Sequence, residues 1–301
     1  MNNYITSLEY QGLLKVSGED SEEFLQGQLT CDLEKLPSHN WVAGAACNTR
    51  GRVYSSFRIL RTDHTFFMAL QMGILPITQS TLQKYIPFYK AEMQDASSEY
   101  KRFGLWGNEV RALLEENVGP LPKPGSAVDF EKALILDLGG NLPRFEFWCP
   151  EGQNLPEGLT SQLQEKDSVL WRELDHDHGI FMIDEGDVEQ YTPEEAGMDV
   201  ANFVSFEKGC YTGQEIVARM HYKGKGLKRL HQVSFTSDAP LTSAILVNSE
   251  GKVLGTLTNI IHLDGNVQKA FATLKTSASV EEQLFVSDGS QSKPATVKAF
   301  V

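Results

Sequence analysis

The sequence predicts an α+β fold followed by a small antiparallel β-barrel. Through the first 229 residues, apolar runs of strand-like and helix-like period alternate. They are interrupted by Gly119-Pro120-Leu121-Pro122-Lys123-Pro124-Gly125, three prolines in seven residues, which reads as a connector. From 230 to 301 the apolar runs shorten and are punctuated by Gly, Asn, Asp or Ser, the pattern of a small barrel. At 301 residues the chain exceeds the size at which one core stops growing, so more than one domain is expected. The expected limits are an α+β region at 1–229, made of two subdomains with the connector near 119–125, and a barrel at 230–301.

Residues 13–16 read as a strand, and Ser17-Gly18 turns it toward a helix that starts at Asp20, with Glu23 at capping-box spacing. Phe24, Leu25 and Leu29 supply its apolar stripe. Residues 41–47 and 53–60 are β-leaning runs around Asn48-Thr49-Arg50-Gly51-Arg52, a hairpin signal with Gly at the turn, and 66–70 extends the sheet. Helices at about 77–85 and 109–116 alternate with strand pieces around Glu92 and at 103–106. Residues 133–138 and 144–148 read as paired strands around Gly139-Gly140-Asn141. Helices follow at 159–164 and 169–178, the second with Asp167 as N-cap and Gly179 as stop. Six short strands, at 230–235, 245–248, 253–261, 267–272, 284–286 and 295–300, build the barrel, with Glu250-Gly251 as a hairpin turn.

A content of 41% hydrophobic and 22% charged residues is that of a soluble globular chain. No run of about 18 apolar residues occurs and the N-terminus has no targeting character, so no membrane partner and a cytoplasmic location are expected. Cys31, Cys47, Cys149 and Cys210 are scattered without a Cys-x-x-Cys pair, which fits a reducing compartment and neither a disulfide framework nor a metal site. A net charge of −13 disfavours direct tRNA binding over a broad surface. Locally the balance reverses: Arg219, Lys223, Lys225, Lys228 and Arg229 fall in eleven residues without an acid, implying an anion site.

The most informative segment is Lys208-Gly209-Cys210-Tyr211-Thr212-Gly213-Gln214-Glu215. Glycines flank a cysteine where the backbone can approach another group closely, the construction of a ligand-facing loop. Lys208, and a helix beginning near Gly213, would favour a thiolate at Cys210. On this octapeptide the chain resembles the YgfZ family of folate-binding proteins, tRNA-modification and iron–sulfur maintenance factors related to the glycine cleavage T-protein. Supporting matches are residues 24–32, Asn48-Thr49-Arg50-Gly51-Arg52-Val53, Trp171 with Gly179 and Asp184, and Gly255-Thr256-Leu257-Thr258-Asn259.

The resemblance implies an aminomethyltransferase-like folate-binding fold, two α+β subdomains and the barrel around a central cavity. It implies tetrahydrofolate or a one-carbon derivative as cofactor. It also implies iron–sulfur enzymes, including tRNA methylthiotransferases, as partners. Cys210 becomes the candidate catalytic residue, and Trp171, Asp177, Tyr211, Gln214, Glu215, Arg219 and Lys223 the candidate cofactor-binding residues. Trp171, beside Val169, Leu170 and Leu174, fits either a core position or a platform for a folate ring. The basic run would neutralise the carboxylates of a folate tail.

Two departures matter. Where the T-protein carries a pair of aspartates after its Asn-x-x-Gly-x-Val turn, this chain has Ser55 and Ser56, whose hydroxyls cannot transfer protons near pH 7. In the helix after Trp171, Asp177 stands where relatives carry glutamate, one methylene longer, and remains able to accept hydrogen bonds from a pterin. Alternate residues on a helix point about 200° apart, so Asp175-His176-Asp177-His178 does not make a metal site. The expected function is a folate-binding accessory protein for iron–sulfur enzymes and tRNA modification acting through Cys210. The alternative is a folate-dependent one-carbon transferase using Asp177 or Glu215 as acid or base.

Overall fold

The computed structural model describes residues 3–223, 228–275 and 283–299. The chain divides into two compact units, Met1–Gly44 with Ser56–Ser168, and Ala45–Ser55 with Val169–Val301.

In chain order the elements up to the end of the first unit are β1 (Asn3–Ser7), β2 (Gln11–Ser17), α1 (Ser21–Gln26), β3 (Asn40–Cys47), β4 (Val53–Thr62), β5 (Thr65–Gln71), α2 (Leu75–Leu82), β6 (Glu92–Asp95), β7 (Tyr100–Gly107), α3 (Val110–Val118), β8 (Ala127–Phe130), β9 (Ala133–Gly139), β10 (Arg144–Pro150), α4 (Glu157–Thr160) and β11 (Gln164–Glu165). One sheet runs β3-β4-β5-β2-β6 and another β11-β1-β7-β10-β9-β8. The strands pair antiparallel except β1 with β11. Leu13, Leu60 and Phe67 of the first sheet pack with Leu134, Leu136 and Trp148 of the second. Within this core Arg58 donates to the Glu146 carboxylate at 3.0 Å, and Trp148 Nε1 donates to its other oxygen at 2.9 Å. Removing one partner of such a buried pair strands the other charge in a medium that solvates it poorly. The proline-rich stretch joins α3 to β8 inside this unit.

Two local expectations differ from the structure. Asp20 precedes α1 but does not cap it; its carboxylate accepts from the Lys90 backbone N–H at 2.8 Å instead. The helix expected at 159–164 is the single turn α4, after which Gln164 and Glu165 pair as β11 with Tyr4 and Ile5. An available strand edge outweighs weak helix propensity over so few residues.

The second unit contains the hairpin tip at 45–55, α5 (Ser168–Asp177, whose first residue closes the first unit) and α6 (Gln214–Lys223). It also holds the six strands β12 (Lys228–Thr236), β13 (Ile245–Val247), β14 (Val253–His262), β15 (Val267–Lys275), β16 (Leu284–Ser287) and β17 (Ser292–Ala299). These six close into an antiparallel barrel, β12-β15-β14-β13-β16-β17, around Val233, Leu246, Leu257, Ala270, Leu274 and Val286. Closure pairs every edge, which matters for strands only three to ten residues long. Each of the six strands overlaps the apolar run expected to form it, and Phe300, the last residue of the sixth run, lies outside the described residues.

Candidate functional site

The octapeptide leads into α6. Gln214 starts the helix, its backbone N–H bonded to the Tyr211 carbonyl at 3.1 Å, while its side-chain amide reaches back to the Gly209 carbonyl at 3.3 Å. The two glycines serve different ends. Gly213 is left-handed (φ +85°), and a Cβ there would stand 2.4 Å from the Asn48 carbonyl oxygen, so its bareness lets the motif dock on the hairpin turn at 48–51. Gly209 faces nothing within 4 Å. The part of the loop free to meet another molecule is therefore its start, where Cys210 is exposed.

Behind the loop the protein is closed. Tyr211 is buried under the Lys208 ammonium, 5.2 Å from its ring centroid. Cys47 and Glu194 lie near enough to add to the rise that burial imposes on the Tyr211 hydroxyl. Burial likewise pushes the Cys47 thiol far above its usual range. Glu194 is 0% exposed. Burial, reinforced by the charge of Asp199 and opposed by its own backbone N–H, the Thr192 hydroxyl and Arg229, pushes its carboxyl up to about 7. A stacked pair bridges the two flanks of the motif: Phe206, before the loop, and His221, on α6, have ring centroids 3.7 Å apart.

The candidate residues are not equivalent. Cys210, Glu215 and Arg219 are exposed, the last two one helical turn apart on α6. Tyr211 and Trp171 are buried, Trp171 completely. Both Asp177 oxygens bond Lys269 Nζ, at 2.6 and 2.9 Å, and Oδ1 also meets His176. Burial raises this carboxyl, but the bonds and charge of His176 and Lys269 outweigh it and hold the pKa at about 2. His176 Nε2 meets the Ala270 carbonyl and His178 Nδ1 the Leu174 carbonyl, so each histidine of the Asp-His-Asp-His run bonds a separate backbone group. Of the basic run, Arg229 bonds Asp199 at 2.7 Å, Arg219 and Lys228 are exposed, and the Lys223 side chain and residues 224–227 lie outside the described residues. Ser55 and Ser56 are both fully buried.

A second feature has no mark in the sequence. A cavity of about 870 Å³ lies within the second unit, between the segment 184–195 and the barrel, and its wall includes Asp184 and residues 255–259, both family matches. At its base Asp187, 2% exposed, accepts from the Thr258 hydroxyl at 2.6 Å and from Asn259 Nδ2 at 2.9 Å. Successive strand residues normally point to opposite faces. A bulge in β14 between Thr258 and Ile261, with Asn259 left-handed at φ +50°, turns both toward one carboxylate. Burial, and behind it the charge of Asp184, pushes Asp187 up to about 7 against the Thr258 bond. The same surroundings raise the Tyr191 hydroxyl to about 12.

The architecture matches that of a solved protein. The crystal structure of the glycine cleavage system aminomethyltransferase T from Bartonella henselae matches 99% of this chain and 86% of its own with a TM-score of 0.82, at 17% identity. The chain thus has the aminomethyltransferase T fold. No family model matches the sequence. Among curated proteins, the tRNA-modifying protein YgfZ of Photorhabdus laumondii is 32% identical over 231 residues, covering 75% of this chain and 69% of the relative. YgfZ of Yersinia enterocolitica is 28% identical over 296 residues, 96% of this chain and 89% of the relative. YgfZ of Serratia proteamaculans is 31% identical over 236 residues, covering 75% and 69%. The chain belongs to the YgfZ family.

Proposed function

We propose that this chain is a tetrahydrofolate-binding accessory protein that supports iron–sulfur enzymes and tRNA modification through the Cys210 thiol. The carrying observation is exposure: Cys31, Cys47 and Cys149 are buried, and Cys210 alone of the four stands exposed, on the motif loop. The fold and the names of the relatives support the setting. The residues fit a folate in kind. Glu215 supplies an acceptor for amino and ring N–H donors, and Arg219, one turn on, a cation for a tail carboxylate. Trp171 offers an aromatic face only to a ligand that reaches beneath the surface, and Asp177 accepts a pterin only by giving up Lys269. Bound folate would supply a one-carbon carrier; the chain's own part is to hold it and to present a thiol.

The transferase alternative finds no support at the expected acids or at Asp177. Ser55 and Ser56 replace the acids, and a carboxyl held at about 2 is a poor base or acid near pH 7. Calorimetric titration with tetrahydrofolate and a cellular assay of tRNA methylthiolation test the proposal together. Cys210→Ala is expected to bind folate as the unaltered chain does and to fail in the cell; full cellular activity would remove the thiol from the function. A maleimide probe should label one thiol per folded chain and none in Cys210→Ala, because the other three cysteines are buried.

A further inference from the structure

The cavity beside the barrel has an uneven chemistry. Its acids are already bonded by the protein. Asp184 accepts from the Gly186 N–H at 3.0 Å, Asp187 from Thr258 and Asn259, and Glu195 from Arg52 at 2.7 Å and the Thr192 N–H at 3.0 Å. Its donors are not. Arg172 on α5, half-buried, and Lys228 at the start of β12 line the same cavity, and the side chain of neither forms an ion pair or hydrogen bond among the described residues. In a chain with 40 acidic and 27 basic residues, two cations without a carboxylate partner in a cavity containing three acids is an arrangement that simple charge pairing does not produce.

Thr273 points the same way from a third element, β15. It is 7% exposed, it lines the cavity, and its hydroxyl has no hydrogen-bond partner among the described residues. A buried hydroxyl left unbonded is costly unless a partner arrives. The groups the cavity leaves without a partner are therefore two cations and a hydroxyl donor. Val253, exposed, and Leu254 and Ile260, half-buried, give the barrel side of the wall an apolar surface against which the body of a ligand can lie.

We propose that this cavity binds an anionic small molecule whose carboxylate or phosphate groups are neutralised by Arg172 and Lys228 and which accepts a hydrogen bond from Thr273. The inference does not depend on folate binding at the motif loop. Two sources share the chemistry, a γ-linked glutamate chain and a nucleotide phosphate. Calorimetric titration of the full chain with γ-linked triglutamate and with AMP separates them.

At least one probe is expected to bind at low salt and to weaken as salt rises. Arg172→Gln and Lys228→Gln are each expected to weaken it about tenfold, the loss of a charge-assisted contact. Thr273→Val, which keeps the shape of the side chain, should weaken it less, by roughly threefold to tenfold. Unchanged thermal midpoints show that the variants fold. Binding of triglutamate alone assigns the site to a carboxylate chain and binding of AMP alone to a phosphate; binding of both establishes a general anion site. Binding of neither, or binding indifferent to Arg172→Gln and Lys228→Gln, overturns the proposal. If tetrahydrofolate still binds the double variant while the probe is lost, the two sites are separate; if tetrahydrofolate binds nowhere and the probe still binds, only the folate proposal falls.

Discussion

At the scale of single residues, the motif combines one open and one closed glycine, and the two should respond differently to the same change. Gly213→Ala puts a methyl group 2.4 Å from the Asn48 oxygen at a positive φ, and a loss of about 2 kcal/mol or more is expected by urea denaturation. Gly209→Ala meets nothing within 4 Å and should change stability by less than about 0.5 kcal/mol. Glu194 sets a pH dependence. Its folded value of about 7 lies above the ordinary 4.5, so the folded chain holds the proton more tightly than the unfolded one. Stability therefore falls as pH rises from about 4.5 to 7, by on the order of 3 kcal/mol from this group. Glu194→Gln should accordingly raise the urea midpoint at pH 8 and leave it nearly unchanged at pH 4. Equal shifts at both values would mean that the carboxyl is not titrating in the buried site. The sequence announced Cys210 by its neighbours but was silent about Glu194, because nothing local marks a glutamate for burial.

At the scale of elements, two hairpins repeat one device. In Asn48-Thr49-Arg50-Gly51-Arg52 the Asn48 side-chain oxygen accepts from the N–H groups of Arg50 and Arg52 at 2.9 and 3.0 Å, and Gly51 is left-handed. In Asn248-Ser249-Glu250-Gly251-Lys252 the Asn248 oxygen accepts from Glu250 and Lys252 at 3.1 and 2.9 Å, and Gly251 is left-handed as well. Asn48→Ala and Asn248→Ala should each cost about 1–2 kcal/mol in urea unfolding, while Asp, which keeps the acceptor, should restore most of it. Both turns were legible because the residue types that stabilise them act within five positions. The short barrel strands were legible for the same reason, their apolar runs being bounded by turn residues. At the Asp20 cap and the helix expected at 159–164 a distant partner, Lys90 in one case and β1 in the other, outcompetes the local preference. The bulge in β14 had no local mark beyond Thr258-Asn259, and its purpose, two side chains on one carboxylate, exists only once Asp187 is beside it.

At the scale of the whole molecule, charge is the property that most constrains partners. With a net charge of −13, tRNA should not bind measurably at about 150 mM salt, and any binding at about 50 mM should fade steeply as counterion release predicts. Tight binding at physiological salt, read by filter retention, would contradict this. Among the described residues no helix is long and apolar enough to cross a membrane. The α+β class, the six-stranded barrel and the family were all readable from the order of residues, since periodicity, turn chemistry and an eight-residue motif are short-range properties of the chain. Which motif residues are open and which are closed was not readable: Cys210 and Arg219 outside, Tyr211 and Trp171 inside, Asp177 held by Lys269 from 92 positions away. Nor was the cavity in which Arg172, Asp187, Lys228 and Thr273 meet. Burial and pairing depend on what lies across a fold rather than along a chain, and helix, loop and barrel strand come together there only when tertiary packing closes them.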